Sequence, residues 1–215
     1  MARSKSRILI VEDHPVFRLG MSEMINLEGD LDVCGWAEST AEAWNEISRL
    51  DPDLVIADIT LKNSDGLELV RELTRHKKKI PALVLSMHPE SLYAERAVMA
   101  GARGYIMKQE APVSVVTAIR TVLSGRIYLS DAIKEKLLLG ISSSSNHHLS
   151  PVERLAPREL EVFTLLGRGM STREIAATLN LSMKTIGTYR ERIKEKLHLR
   201  HNNELLKHAM SLNDA

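Results

Sequence analysis

Residues 7–13 read Arg-Ile-Leu-Ile-Val-Glu-Asp, and residues 52–58 read Pro-Asp-Leu-Val-Ile-Ala-Asp. Each is a short aliphatic run that stops on acid. Three more runs have the same character: Asp32–Ala37, Ala82–Leu85 and Gly104–Met107. They are rich in Ile, Leu and Val without polar alternation, the pattern of strands buried on both faces. Stretches with helical spacing lie between them. Val16, Leu19, Gly20, Met24 and Leu27 form one stripe, and Leu67, Leu69, Val70 and Leu73 form another, with Thr40 and Ser64 as helix starts. Five strand-then-helix units predict a doubly wound, five-stranded parallel sheet with helices on both faces.

The charged residues cluster at the ends of these runs. Glu12 and Asp13 close the first, Asp58 the third, Ser86 the fourth and Lys108 the fifth. Open α/β sheets bind ligands at the carboxyl ends of their strands, beside the switch point. With strand order 2-1-3-4-5, strands 1 and 3 lie about 4.8 Å apart. Glu12, Asp13 and Asp58 then share one acidic pocket, into which Lys108 reaches. Three neighbouring carboxylates call for a cation, and Mg2+ suits hard oxygen ligands. A carboxylate in such a site is chemically able to attack a phosphoryl group and form an aspartyl phosphate. The metal, Lys108 and the Ser86 hydroxyl would balance the phosphoryl oxygens.

Length and composition narrow the class. At about 150 residues per domain, 215 residues correspond to one or two domains. A hydrophobic share of 44% and a charged share of 27% exclude a disordered chain or a fibrous repeat. No apolar stretch approaches the roughly 20 residues of a spanning helix, and the basic start is followed by too short an apolar run for a signal peptide. Cys34 is the single cysteine, so no intramolecular disulfide forms and a reducing compartment is expected. The expectation is a cytoplasmic protein with no membrane association.

Charge divides the chain. Residues 1–130 carry 16 basic against 18 acidic side chains, a net −2, whereas residues 151–215 carry 11 against 8, a net +3. Residues 182–200 alone hold six basic against two acidic. Between the two parts runs Gly140-Ile-Ser-Ser-Ser-Ser-Asn-His-His-Leu-Ser-Pro151, a composition that packs no core and reads as linker. His147 and His148 within it read as solvated.

The second part reads as helices throughout. Arg158 to Arg168 carries Leu160, Phe163, Leu166 and Gly167 on one side, with Gly169 as a stop. Ser171-Thr-Arg-Glu174 fits a capping box that opens a helix to Leu179. Ser182 caps a longer helix to about His198, and a last one spans Asn202 to Leu212. Two helices joined by about three residues, the second one basic, form a helix-turn-helix pattern. On the long helix Ile186, Tyr189, Ile193 and Leu197 make the apolar stripe. Lys184, Thr188, Glu191 and Glu195 face the other way, flanked by Gly187 and Arg192. Such an outer face has the chemistry to read duplex DNA: Lys addresses guanine, Glu accepts from cytosine and Thr meets a thymine methyl. Leu205, Leu206, Ala209, Met210 and Leu212 on the last helix are available for pairing two copies. Aromatic residues do not cluster on the basic part, which argues against a base-stacking RNA or single-strand binder.

Two resemblances follow from these residues. Ile8-Leu-Ile-Val-Glu12-Asp13-His14-Pro15, Pro52 to Asp58, Asp65-Gly66, Val84-Leu-Ser86-Met-His88 and Gly101-Ala-Arg-Gly-Tyr105-Ile-Met-Lys108 together resemble the receiver domain of two-component response regulators, a flavodoxin-like fold. Leu155 to Val162, Gly169 to Ala176, Leu181 to Ile186 and Ile193 to Leu197 resemble the LuxR-type, all-α four-helix helix-turn-helix domain. In that order the two are similar to the NarL/FixJ response regulators.

The resemblance implies that Asp58 is the phosphoacceptor. It makes Glu12, Asp13, Asp58 and the backbone carbonyl of Thr60 the Mg2+ ligands. Ser86 and Tyr105 become the switch pair and Lys108 the phosphate-reading lysine. For the second domain the expected DNA contacts are Lys184, Gly187, Thr188, Glu191 and Arg192. The implied partners are a cognate sensor histidine kinase, double-stranded promoter DNA and a second copy of the chain, as a homodimer on phosphorylation. The expected division is a receiver over 1–128, a linker over 129–150 and the DNA-binding domain over 151–215.

The chain departs from the family where Met87 stands in place of a small residue, where Gln109 replaces a common proline, and where Gly187 replaces a recognition-helix lysine. One rival is an Asp-nucleophile phosphatase, but such enzymes carry an acid two residues on, and here Ile59 and Thr60 follow Asp58. The reading is therefore not an enzyme. The other rival is a receiver kept only for dimerisation, against which stands the complete set Glu12, Asp13, Asp58, Ser86 and Lys108.

Overall fold

The computed structural model describes residues 5–61, 65–76, 78–142, 151–179 and 181–213. It divides into two compact units, Met1–Ser144 and Ser145–Ala215.

The first unit contains strands β1 (Ser6–Val11), β2 (Leu31–Ala37), β3 (Leu54–Asp58), β4 (Ala82–Ser86) and β5 (Gly104–Met107). Its helices are α1 (Pro15–Asn26), α2 (Thr40–Leu50), α3 (Gly66–Arg75), α4 (Glu90–Met99), α5 (Ala111–Leu123) and α6 (Asp131–Ser142). The strands form one parallel sheet in the order β2-β1-β3-β4-β5. Every residue of β3 and β4 is buried, as unbroken aliphatic runs covered on both faces require. The edge strand β2 is less covered, and its Trp36 is half-exposed.

Local signals set the helix starts. α2 starts at the expected Thr40, and the Ser39 hydroxyl just before it caps the helix by accepting from the Glu42 N–H. Asp65 caps α3 by accepting from the Leu67 N–H at 2.8 Å. Ser64, the expected start, lies outside the described residues.

Two expectations need correction. The α1 stripe of Val16, Leu19 and Leu27 faces solvent; the helix buries Met21, Ile25 and Arg18 instead. Two apolar stripes compete on that helix, and only the sheet selects between them. The stretch read as linker also holds α6, which rests on α4. Ile133 of α6 is buried, Lys136 pairs with Glu95 at 3.1 Å, and just before α6 the Ser130 N–H donates to Glu90 at 3.0 Å. The serine run after it masked the helical spacing of Ile133 and Leu137. The rest of that stretch, with His147 and His148, lies outside the described residues.

The second unit opens with a 3-10 turn, Pro151–Arg154, followed by α7 (Pro157–Gly167), α8 (Thr172–Thr178), α9 (Met183–Lys196) and α10 (Asn202–Asn213). The central helix α7 buries Leu160, Phe163 and Leu166 and nearly every residue around them. Gly169 adopts φ +79 and ends it, with its N–H donating to the Leu166 carbonyl. The Ser171–Glu174 capping box is present, and Ser182 caps α9 by accepting from the Thr185 N–H.

Gly66 is the tightest point near the strand ends. A Cβ there would fall inside contact distance of the Asp58 carbonyl oxygen. Gly66→Ala is therefore expected to destabilise the receiver unit by roughly 1–3 kcal/mol, the usual cost of overpacking. Urea unfolding followed by tryptophan fluorescence measures this, because Trp36 and Trp44 both lie in that unit. A change below a few tenths of a kcal/mol would show that α3 shifts freely.

Candidate functional site

The sheet order brings the ends of β1 and β3 side by side, with Val11 opposite Ala57. The next residues, Glu12 and Asp58, are neighbours for that reason. Ligand atoms of Glu12, Asp13, His14 and Asp58 all lie within 4.8 Å of one another. Glu12, Asp13, Asp58, Thr60, Ser86 and Lys108 are all buried. Thr60 and Lys108 contact Asp58 directly, Ser86 ends the neighbouring strand β4, and Tyr105 joins Ser86 through His88.

Each oxygen of Asp58 has its own partner. Oδ1 accepts from the Thr60 N–H at 3.0 Å and the Thr60 hydroxyl at 3.2 Å. Oδ2 accepts from Lys108 Nζ at 2.9 Å, and the same ammonium lies 2.5 Å from Glu12 Oε2. The Lys108 N–H donates to the Ser86 carbonyl at 2.7 Å, which aims the side chain along the strand ends. Burial by itself would lower the Lys108 pKa, but the charges of Asp58 and Glu12 outweigh it and hold the pKa above the ordinary lysine value. The Lys108 ammonium also lies 4.8 Å from the Phe17 ring centroid. Three carboxylates against one ammonium leave a net charge of −2. Hard oxygen donors with that charge fit Mg2+.

Ser86 and Tyr105 converge on His88. The Ser86 hydroxyl accepts from the His88 N–H at 3.0 Å, and the Tyr105 hydroxyl donates to the His88 carbonyl at 2.9 Å. The His88 ring stacks on Tyr93 of α4 at 4.6 Å. Burial raises the Tyr105 pKa well above the ordinary phenol value, so its hydroxyl stays a donor.

On α9, Ile186, Ile193 and Leu197 are buried while Lys184, Thr188, Glu191, Arg192 and Glu195 are exposed. The outer face is therefore the one read from helical spacing. Gly187 lies on it with nothing within 4 Å of where a Cβ would stand. Glu191 pairs with Lys194 at 2.9 Å. Arg190, also on α9, donates to the Thr172 hydroxyl at 2.7 Å and ties the helix to the first turn of α8. On α10, Leu205 and Ala209 are spent in the domain core; Leu206 and Met210 are open. The side chain of Leu212 lies outside the described residues.

Residues 8–120 match the response regulator receiver domain family, and residues 153–209 match the bacterial regulatory proteins of the luxR family. The chain belongs to the two-component response regulators. This response regulator is of the NarL/FixJ type, a transcription-regulator family and not an enzyme class. It is 34% identical over 200 residues to the response regulator GacA of Pseudomonas aeruginosa, covering 93% of this chain and 92% of that one. It is 28% identical over 209 residues to the oxygen regulatory protein NreC of Staphylococcus carnosus, covering 95% and 96%. Among solved structures it resembles RcsB of Salmonella enterica bound to promoter rprA with the phosphomimetic BeF3-. That match has a TM-score of 0.59 and 26% identity, and covers 96% and 99% of the two chains. Receiver domains generally bind Mg2+ at an acidic pocket, and this response regulator carries such a pocket. Among its described residues no helix is long and apolar enough to cross a membrane.

Sequence reasoning assigned no role to three residues around the receiver pocket. Arg18 is buried and donates to the Glu12 carbonyl at 2.8 Å while pairing with Glu38 at 3.0 Å and covering the Trp36 ring. His88 is the shared partner of Ser86 and Tyr105, and His14 borders the acids. Arg18 is spaced one helical turn from His14, which is the available sequence signal. The role of His88 rests on its backbone, which no sequence pattern displays.

Removing the ammonium leaves three buried carboxylates with no cation. Lys108→Met is expected to destabilise the receiver unit by about 3–5 kcal/mol at neutral pH without divalent metal. Because the folded pKa of Lys108 is raised, the wild-type advantage is fully present below the unfolded lysine value of about 10.4 and declines as pH rises through the folded one. Urea midpoints read from tryptophan fluorescence across that range check both the size and the direction.

Proposed function

We propose that Asp58 accepts a phosphoryl group from a sensor histidine kinase and that the modified chain binds promoter DNA as a homodimer to regulate transcription. The observation that carries this reading is the partnering of Asp58. One oxygen is held by Thr60 and the other by Lys108, in a buried acidic pocket at the strand ends. Glu12, Asp13, Asp58 and the Thr60 carbonyl would hold Mg2+, which when bound neutralises phosphoryl oxygens and draws donor and acceptor together.

An Asp58 oxygen attacks phosphorus, and the bond from phosphorus to the donor's nitrogen or oxygen breaks. The electron pair of that bond leaves with the donor, and an acyl phosphate remains. Lys108 moves its ion pair from the carboxylate to the new phosphoryl oxygens. Ser86 turns its hydroxyl to a phosphoryl oxygen and gives up the His88 N–H. Tyr105 holds the other side of His88, so the loop before α4 and the α4–β5 surface move together. This is a population shift between two arrangements of one loop.

The reaction is confined to the chain's own aspartate. No acid stands two residues after Asp58 to protonate a leaving group, so the chain is not a phosphatase acting on outside substrates. A cytoplasmic location follows from kinase and DNA partners together.

Asp58→Ala should take up no phosphoryl group from acetyl phosphate and Mg2+, whereas the wild type gains one by intact mass. Equal labelling of the variant would move the nucleophile elsewhere. The labelled wild type should also sediment as a dimer at micromolar concentration.

On DNA, Lys184, Thr188 and Glu191 are the base-facing side chains. Gly187 lets the helix approach closely, and Arg192 contacts phosphate. Thr188→Ala should weaken the specific site by about 1–3 kcal/mol and leave a scrambled duplex unaffected. Arg192→Ala should weaken both duplexes equally and flatten the salt dependence by about one unit of slope. Titrations at several salt concentrations separate the two. Equal loss on both duplexes for Thr188→Ala would rotate α9 away from this assignment.

A further inference from the structure

The acidic pocket has a nitrogen at its rim that the phosphotransfer reading does not use. His14 Nδ1 lies 2.9 Å from Glu12 Oε1 and 2.9 Å from Asp13 Oδ1. Ligands that sit side by side on an octahedral ion, with bonds of about 2.0–2.2 Å, are about 3 Å apart. The nitrogen therefore already stands from each carboxylate oxygen at the spacing of neighbouring ligands in a coordination shell. Backbone geometry holds the ring there. His14 is the residue before α1, in extended conformation, with Pro15 fixing the first helical position. Its N–H also donates to Glu12 Oε1, at 3.0 Å. The side chain is 64% exposed, so the imidazole stands at the mouth of the pocket and not in the core.

We propose that His14 is a nitrogen ligand that makes this pocket a site for first-row transition-metal ions, with Ni2+ and Zn2+ favoured over Mg2+. This deepens the reading above and rests on it, since the pocket must hold a divalent cation at all. Mg2+ is hard and gains little from an imidazole. Zn2+ and Ni2+ suit imidazole and outrank Mn2+ in affinity for mixed nitrogen and oxygen sites. The net −2 of Glu12, Asp13, Asp58 and Lys108 matches a divalent ion of either kind, so the charge attracts both and His14 discriminates. A transition ion bound through His14 keeps one fewer water than Mg2+ would, leaving less of its shell open to a phosphoryl oxygen. Availability of such ions would thereby compete with Mg2+ in the phosphotransfer pocket.

The test uses the full-length protein loaded with Mn2+, whose bound fraction is followed by electron paramagnetic resonance. The part of that signal lost in Asp13→Asn is the pocket's. Mg2+ or Ni2+ is then titrated in, and the ratio of their half-displacing concentrations is taken, so the affinity of Mn2+ itself cancels. His14→Phe and His14→Ala are compared with wild type. The His14 side chain makes no helix-capping hydrogen bond, so neither variant removes a cap. The ratio of Mg2+ to Ni2+ is expected to fall on the order of tenfold or more in both variants. A ratio within twofold of wild type in both would overturn the assignment of His14 while leaving the cation pocket standing. Failure of Mg2+ to displace any of the pocket's Mn2+ would instead overturn the cation reading, and this proposal with it.

Discussion

The Lys108 ammonium, buried between Glu12 and Asp58, is the contact around which the receiver is organised. Three carboxylates at the end of an aliphatic sheet would repel one another, and each buried ion costs several kcal/mol to desolvate. One cation cannot balance all three, so the pocket keeps a residual charge of −2. That residual charge is what fits the site to a divalent ion, so the contacts that hold the pocket together also set its call on a cation.

The parallel sheet makes this arrangement possible. All five strands point the same way, so the residue that follows each strand emerges at one edge. The order β2-β1-β3-β4-β5 puts Asp58 at the centre, the acids on one side, and Ser86 and then Lys108 on the other. The loop beyond Ser86 connects the strand ends to α4. His88 gives its N–H to Ser86 and its carbonyl to Tyr105, and its ring lies on Tyr93. One residue thus links the ends of β4 and β5 to α4.

The second unit solves a different problem. Its long helix α9 leaves one face exposed and is held from the other side. The buried Ile186 and Ile193, the Ser182 cap and the 2.6 Å pair between Lys196 and the buried Glu159 of α7 do this. Arg190 adds the tie to Thr172. The exposed face carries the Glu191–Lys194 pair, and among the described residues nothing lies within 4 Å of where a Gly187 Cβ would stand.

Much of this was legible in the chain itself. Unbroken aliphatic runs at regular spacing determine five buried strands, because only a strand covered on both faces lacks polar alternation. Acids and a lysine at the ends of those runs determine the pocket once the strands are parallel. Serine caps and glycine stops mark the later helices, since those signals act within a few residues. The tertiary structure decided what depends on competition between distant surfaces. It selected the Met21–Ile25 side of α1 over the Val16–Leu19 side, because only one of two similar stripes meets the sheet. It docked α6 on α4 through Ile133 and the Lys136–Glu95 pair, contacts across about 40 residues of chain that no local pattern carries. It placed Arg18 beneath Glu12 and made the backbone of His88 the shared partner of Ser86 and Tyr105, because backbone groups leave no signature in residue identity.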